Sequence, residues 1–223
     1  MLATDRAGQA VAGGALLLAL GLIGFRLALA LVDRTELSTD EAQYWFWGQT
    51  LEFGAYSKPP LIGWVLRAST ELLGQSVWAV RLPAVLFHAA TAAVIFVATR
   101  HLAPRPVAGL AALLYLVAPA VALGASGMTT DTPVLPAAAG APVAQRRAGV
   151  WRRLGQSGAG AALVLGLALG LGILAKHAML FWLAGSLVAG LLSPALRPAR
   201  SDVLLALAVL LVVVAPHVAW LHR

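Results

Sequence analysis

The chain of 223 residues has no cysteine and few charged side chains. Without cysteine, a disulfide framework, a thiolate zinc site and a cysteine nucleophile are all excluded. Charged residues make up only 11% of the chain, against roughly 25% in an average soluble domain, which excludes an ordinary water-soluble fold. The histidines and acids also lack the spacing of a metal-binding cluster.

The sequence consists mostly of long apolar runs. Hydrophobic residues make up 60% of the sequence, in runs of about 17 to 23, and a helix needs roughly 20 residues to cross a bilayer. The runs predict an all-α, multi-pass transmembrane helical bundle that occupies residues 1–223 as a single membrane domain. We expect about seven spans, at residues 10–32, 78–99, 106–124, 131–144, 158–175, 178–193 and 203–221.

The fourth predicted span is the weakest. Its sequence, DTPVLPAAAGAPVA, has only 14 residues and contains Pro133, Pro136 and Pro142. At a rise of about 1.5 Å per residue, a helix of this length falls short of a full crossing. We therefore expect the span to begin earlier, near Ser126, or to be distorted, with the arginine-rich residues 145–153 following it as a loop.

The distribution of charge predicts the topology. The net charge is +7, and nine of the sixteen basic residues fall at the N-terminus and in alternate loops between the predicted spans, as the positive-inside rule describes for cytoplasmic segments. We prefer this interpretation to nucleic-acid binding. Six of the nine acids lie in residues 33–77. The loop formed by those residues is therefore predicted to face away from the cytoplasm.

This outward loop carries signals for two short helices. Ser38 and Glu41 have the spacing of a capping box, which predicts a helix over residues 39–51. Pro59-Pro60 suits the first turn of a second helix, predicted over residues 59–73 after a break at 54–58. We expect both helices to be amphipathic and to lie along the membrane surface, outside the bilayer core.

Most of the polar and aromatic residues in this loop have ordinary explanations. Tyr44 and Trp45 suit an aromatic belt at headgroup depth. Glu41 is explained as a helix cap, and Lys58 as a side chain that extends toward lipid headgroups. Asp131 is harder to explain, because it begins the fourth span on the same side of the membrane, and an acid near membrane depth is a functional candidate.

Together these motifs resemble the membrane glycosyltransferases that use polyprenyl-phosphate sugars, the dolichyl-phosphate-mannose–protein mannosyltransferase superfamily with its aminoarabinose-transferase-like members. The resemblance spans residues 10–222 and rests on four motifs in the family's order: Asp40-Glu41 before a run of aromatics, Lys58-Pro59-Pro60-Leu61, Thr130-Asp131-Thr132-Pro133, and Gly170 to His177. Family members usually have more spans and a C-terminal soluble part. The chain is therefore expected to be the N-terminal portion of a larger fold, whether active, truncated or decayed.

The resemblance implies an enzyme that moves a hexosyl or pentosyl group from a polyprenyl-phosphate donor to a lipid, glycan or protein acceptor. It implies a bacterial plasma (inner) membrane location, with membrane lipids around the protein and the active face away from the cytoplasm. No cofactor is implied, and a divalent cation is left open.

The implied reaction needs carboxylates to orient or deprotonate the acceptor and cations to stabilise the leaving phosphate. Because an acid in the first turn of a helix stays ionised, Asp40 is expected to orient more than to take a proton. Asp40, Lys58 and Asp131 are expected within roughly 10 Å of one another. The expected residues are Asp40, Asp131 and Glu41 for catalysis, Lys58, Lys176 and Arg67 for the donor phosphate with Arg81 as a further helper, and Tyr44, Trp45 and His177 for the lining.

Two other functions fit a multi-pass chain, a carrier or permease and a non-catalytic partner subunit. A carrier would place charges within its spans near the midplane, and only Arg26 lies clearly inside a predicted span. The enzyme is therefore preferred. The sequence does not specify the sugar, the acceptor or the oligomeric state.

Overall fold

The structure, a computed structural model, describes residues 2–56 and 58–222, with side chains from Arg6 onward. The described residues form ten α-helices and one 3₁₀ turn at Pro194–Leu196, and they contain no β-strand. The α-helices are α1 Leu2–Val32, α2 Thr39–Gly48, α3 Leu61–Leu73, α4 Val77–Arg100, α5 Arg105–Val117, α6 Pro119–Gly124, α7 Asp131–Arg153, α8 Ala159–Ala175, α9 Met179–Leu192 and α10 Arg200–Leu221.

Three of the described helices are long and apolar enough to cross a membrane: Arg6–Val32 of α1, α4 and α10. Their 27, 24 and 22 residues exceed the roughly 20 that a span needs. The helices α5, α8 and α9 are apolar but shorter. The predicted all-helical membrane fold is confirmed in this form, whereas the count of seven spans stays a prediction.

The third predicted span is interrupted. The structure has two helices where one was predicted over residues 106–124, α5 and α6, and they meet at Ala118. Ala118 has an extended backbone with φ −59° and ψ 133°. A residue before proline is pushed out of the helical region by the proline ring, so Pro119 ends α5 and begins α6.

The fourth span begins at Asp131, as the predicted range 131–144 has it, but the earlier start near Ser126 and the predicted end at residue 144 were wrong. The helix α7 begins at Asp131, not near Ser126, and continues without a loop to Arg153. Hydropathy marks arginines as loop residues, but a helix backbone continues through charged side chains when they reach water. Pro136 and Pro142 lie inside the helix, where each removes one backbone hydrogen bond.

The chain divides into two compact units, residues 1–50 with 63–132 and residues 51–62 with 133–223. In the first unit, α1, α4 and α5 pack against one another. Gly109 of α5 allows the close approach of α1, because a Cβ there would lie 3.2 Å from the Cβ of Ala15. The prediction that the whole chain is a single membrane domain stays a prediction.

In the second unit, α8 packs on α10 through small residues. A Cβ at Gly166 would lie 2.5 Å from the carbonyl oxygen of Ala206, and a Cβ at Gly170 would lie 2.9 Å from Val213. Glycines four residues apart allow membrane helices to approach closely. The packing of α8 on α10 therefore depends on both glycines.

Candidate functional site

The start of α2 is fixed by the predicted capping box. The Ser38 hydroxyl accepts from the Glu41 backbone N–H at 3.3 Å, and the Ser38 N–H donates to Glu41 Oε2 at 3.0 Å. The helix begins at Thr39 and ends at Gly48, three residues before the predicted end. The prediction of the helix start is confirmed, and it places Asp40 and Glu41 in the first turn.

Glycine at position 48 allows α2 to contact α3. A Cβ at Gly48 would lie 2.6 Å from the carbonyl oxygen of Gly63, so a larger residue would push the helices apart. The helix α3 begins at Leu61, directly after the proline pair, and the predicted break includes Ser57, which lies outside the described residues. The membrane-surface location of both helices stays a prediction.

Arg67 of α3 is engaged within this loop. Its Nη1 donates to the carbonyl oxygen of Gln49 at 2.7 Å, and its Nη2 lies 2.7 Å from Glu71 Oε1. Positive charge near the C-terminal end of a helix is favourable, so Arg67 stabilises the end of α2. These contacts occupy the guanidinium that the sequence suggested for the donor phosphate.

Arg81 of α4 binds two carboxylates. Its Nε and Nη2 donate to the two oxygens of Glu41 at 3.0 and 3.1 Å, and its Nη1 donates to Asp33 Oδ2 at 2.6 Å. Both Arg81 and Glu41 are buried. Glu41 also accepts from the backbone N–H of Met128 at 3.3 Å. Arg81 and Glu41 therefore connect four segments of the first unit.

These contacts keep Glu41 ionised. Burial alone would raise the pKa of Glu41, but the hydrogen bonds from Arg81 and Ser38, together with the Arg81 charge, lower it below its usual value. The pKa of Asp33 is also lowered, first by the Thr35 backbone N–H and hydroxyl and then by Arg81. Because both carboxylate oxygens of Glu41 accept hydrogen bonds within the protein, its role is structural.

Tyr44 interacts with two of the three acids that the sequence marked as catalytic. Its hydroxyl is 3.5 Å from Asp40 Oδ2, and its side chain is buried, whereas Asp40 and Asp131 are exposed. Burial raises the pKa of Tyr44 most, and the charge and hydrogen bond of Asp40 and the charge of Asp131 raise it further, against a hydrogen bond with Thr130. The first unit therefore places Asp40 in contact with the Tyr44 hydroxyl, and the charge of Asp131 acts on the same hydroxyl.

The side chain of Trp45 contacts a different part of the first unit from that of Tyr44. Its Nε1 donates to the side-chain oxygen of Gln75 at 2.9 Å. Successive helical residues are separated by about 100° around the axis, so Trp45 and Tyr44 lie on different faces of α2. The contact ties α2 to the segment between α3 and α4.

In the second unit, the charge of Lys58 acts on His177. The Lys58 backbone pairs with Ala55, with N–H···O distances of 2.6 and 3.0 Å. His177 is exposed at its surface; the partial burial of its ring lowers its pKa most, and the charges of His217 and Lys58 lower it further. Lys176, next to His177, ends α8 in an extended conformation. The second unit thus gathers basic side chains at the turn between α8 and α9.

His217 of α10 organises this basic cluster. Its Nε2 lies 3.2 Å from His177 Nε2, and its Nδ1 lies 2.6 Å from the carbonyl oxygen of Phe53. A carbonyl only accepts, so His217 Nδ1 carries the proton. In the neutral pair, His217 Nε2 then accepts from His177, which leaves His177 Nδ1 as an acceptor.

Trp220 fixes the segment that leads to Lys58. Its Nε1 donates to Glu52 Oε2 at 3.1 Å, and a Cβ at Gly54 would overlap the indole ring. Sequence reasoning missed His217 and Trp220, since their partners are 164 and 168 residues away. The one available signal was a histidine inside an apolar span, which marks a functional candidate.

No group of three or more metal-binding side chains occurs in the part of the chain that the structure describes. The structure collects Asp40, Tyr44 and Asp131 in the first unit, and Lys58, Lys176 and His177 in the second. That Lys58 converges with the two acids stays a prediction, as do the roles of all these residues.

Comparison with known proteins identifies the protein family to which the chain belongs. Residues 57–220 match the family described as dolichyl-phosphate-mannose-protein mannosyltransferase. Because the match covers most of the chain, the chain belongs to this family, as its motifs predicted.

Two curated relatives come from Rhizobium johnstonii. The lipid A galacturonosyltransferase RgtD is 40% identical over 211 residues, which cover 92% of this chain and 42% of the relative. The lipopolysaccharide core galacturonosyltransferase RgtA is 28% identical over 221 residues, which cover 98% of this chain and 43% of the relative. The chain therefore spans about two fifths of the length of the curated relatives it matches. No solved structure matches it.

Proposed function

We propose that the chain is part of a membrane glycosyltransferase that transfers a sugar from a polyprenyl-phosphate donor at the outward face of a bacterial inner membrane. Membership of the mannosyltransferase family supports this proposal. The observation that carries it is the contact between the exposed Asp40 and the buried Tyr44 hydroxyl, whose pKa the charge of Asp131 also raises. In this proposal the chain crosses the membrane about seven times.

The acids act on the acceptor. The acceptor oxygen forms a bond to the anomeric carbon, while the bond from that carbon to the phosphate oxygen breaks and its electron pair leaves with the polyprenyl phosphate. Asp40 lies in the first turn of α2, where the helix dipole keeps a carboxylate ionised. It orients the acceptor hydroxyl, and Asp131 receives the proton that this hydroxyl loses as the new bond forms.

Tyr44 positions Asp40. A raised pKa keeps the phenol protonated at neutral pH, so its hydroxyl donates toward Asp40 Oδ2. Glu41 and Arg67, which the sequence placed in the catalytic and phosphate sets, are positioning residues in this proposal, because their polar atoms are engaged with Arg81 and Gln49.

The cations act on the donor. Lys58 stabilises the phosphate as it leaves, since a fixed positive charge is worth most where negative charge develops. Lys176 and His177 lie in the same unit and supply the remaining polar contacts to the donor.

The relatives suggest the sugar and the acceptor. Both are named galacturonosyltransferases, with lipid A or the lipopolysaccharide core in their names. We propose galacturonic acid as the sugar and a lipopolysaccharide component as the acceptor. A galacturonosyl donor carries a carboxylate as well as a phosphate, so two anionic groups match the two lysines, Lys58 and Lys176.

The carrier alternative is not favoured. Arg26, the charge inside a predicted span, donates from Nη2 to the carbonyl oxygen of Leu116 at 2.6 Å. That carbonyl lies in the last turn of α5, where the last four carbonyls of a helix have no partner within it. Arg26 therefore stabilises a helix end and gives no support to a transport path.

Lys58→Ala and Asp40→Asn separate the two proposed roles. Binding of polyprenyl phosphate to the purified protein should weaken about tenfold or more in Lys58→Ala, because a charge-assisted contact to the phosphate is lost. Asp40→Asn should leave this affinity unchanged, since it acts on the acceptor. Arg34→Ala, an exposed cation in the same loop, is the control. Equal weakening in Arg34→Ala and Lys58→Ala would show only a general effect of net charge.

A further inference from the structure

A cavity bordered by two arginines lies in the first unit, away from the acids. It has a volume of about 730 Å³ and lies between the first half of α1 and the turn from α4 to α5. Its lining includes Gln9, Gly13, Leu16, Arg100, Pro104 and Arg105. Cavities of roughly 300–1,000 Å³ are typical of small-molecule sites.

Contacts between α1 and α5 border the cavity and keep it open. A Cβ at Gly8 would lie 3.3 Å from Pro106, and a Cβ at Gly109 would lie 3.2 Å from Ala15. Between these contacts, a Cβ at Gly13 would meet no atom within 4 Å. The small side chains of α1 therefore leave room for a group that is not part of the protein.

Two arginines give the cavity its charge. Arg100 ends α4 and donates to the carbonyl oxygen of Ala103 at 3.2 Å, and Arg105 is the first residue of α5. Both are exposed, and neither forms an ion pair with any side chain described in the structure. A positive charge at a helix N-terminus opposes the helix dipole, so Arg105 gains from a bound anion.

The position of the cavity along α1 indicates which kind of anion it binds. Asp33 directly follows the end of α1 and comes 20 residues after Gly13. A helix of that many residues is about 30 Å long, which matches the hydrocarbon thickness of a bilayer. The cavity thus lies at the interface opposite Asp33 and Arg81. Leu16 and Leu17 beside it are 55% and 71% exposed, and they provide an apolar surface for acyl chains.

We propose that this cavity binds an anionic glycerophospholipid, with its phosphodiester between Arg100 and Arg105 and its chains along the exposed leucines of α1. Basic pockets between membrane helices bind the headgroups of acidic lipids. On the topology predicted from the arginines, the lipid belongs to the cytoplasmic leaflet. The site is separate from the proposed transferase chemistry and does not depend on it.

Measuring the retained lipid tests whether the charges of Arg100 and Arg105 are needed for binding. The purified protein is placed in nanodiscs of phosphatidylcholine with a small fraction of phosphatidylglycerol, and bound phosphatidylglycerol is measured by native mass spectrometry. We expect the Arg100→Ala/Arg105→Ala variant to lose about tenfold in phosphatidylglycerol affinity. The control is Arg147→Ala/Arg153→Ala, which removes the same charge from exposed positions of α7. Equal losses in both variants would overturn the proposal.

A second pair of variants tests the shape without changing the charge. Gly13→Phe fills the cavity, whereas Gly14→Phe places the same ring at the next position of α1, where there is also open space but no cavity lining. We expect only Gly13→Phe to displace phosphatidylglycerol. If inorganic phosphate competes fully with phosphatidylglycerol for wild-type protein, the site recognises free phosphate and the lipid proposal is wrong. Unchanged phosphatidylglycerol binding in Gly13→Phe would also overturn it.

Discussion

At the scale of single residues, Arg81 holds several segments of the first unit together. Its guanidinium is bonded to both Glu41 and Asp33 and is buried. Removing one partner of a buried ion pair leaves an uncompensated charge, which costs about 3–5 kcal/mol. An exposed pair such as that of Arg67 contributes about 0–1 kcal/mol.

Arg81→Leu should therefore lower the midpoint of thermal unfolding in detergent far more than Arg67→Leu. The Arg67 pair is the matched control, since its side chains are 29% and 56% exposed. If the two variants unfold at similar temperatures, the buried network around Arg81 contributes little to stability.

His177 should make stability depend on pH. Its pKa is below the ordinary value of 6.5 because of burial and the charges of His217 and Lys58. The unfolded chain therefore binds more protons than the folded protein below about pH 6.5, so stability is present above that pH and is lost as the pH falls through the folded pKa. Thermal unfolding between about pH 7.5 and pH 5 should show this loss in wild type, and His177→Gln should reduce it. The same slope in both proteins would rule out this role for His177.

The sequence identified some of these residues and missed others for a physical reason. Asp40 and Asp131 stood out because charged residues are rare in this chain and their neighbours formed short motifs. The partners of Arg81, by contrast, are 40 to 48 residues away in sequence, and those of His217 are as far as 164. Local spacing carries no information on such contacts.

At the scale of helices, the contact between α8 and α10 depends on the absence of side chains. A leucine at Gly166 would meet Ala206 and Val209, and overpacking of this kind costs about 1–3 kcal/mol. Gly160, near the start of the same helix, has no atom within 4 Å of its Cβ position.

Gly166→Leu should lower the thermal stability of the protein in detergent, whereas Gly160→Leu should leave it unchanged or raise it slightly through helix propensity. The two variants gain the same side chain in the same helix, so their difference isolates the contact with α10. Equal stability of the two variants would mean that α8 and α10 tolerate a wider spacing.

Helix boundaries were predictable where the signal was local. The capping box gave the start of α2, and the proline pair gave the start of α3 to within two residues. The break at Pro119 was equally local but was read as part of one apolar run. The length of α7 was not predictable from hydropathy, because a helix continues through exposed arginines such as Arg147 and Arg153.

At the scale of the whole molecule, the chain belongs to the mannosyltransferase family over residues 57–220, and three of its described helices are long enough to cross a membrane. The central proposal is that the protein transfers a sugar from a lipid-linked donor. In this proposal the acids act on the acceptor and the lysines act on the donor phosphate. Composition predicted the membrane, but the reaction rests on a few polar residues and on the relatives' names.

The most direct measurement is the release of polyprenyl phosphate when purified protein in detergent is mixed with polyprenyl-phosphate galacturonic acid and lipid A. The proposal predicts release that requires the acceptor and falls by about a hundredfold or more in Asp40→Asn, a typical loss for a carboxylate that assists the nucleophile. No release with this donor or with other polyprenyl-phosphate sugars, or equal release by wild type and Asp40→Asn, would contradict it.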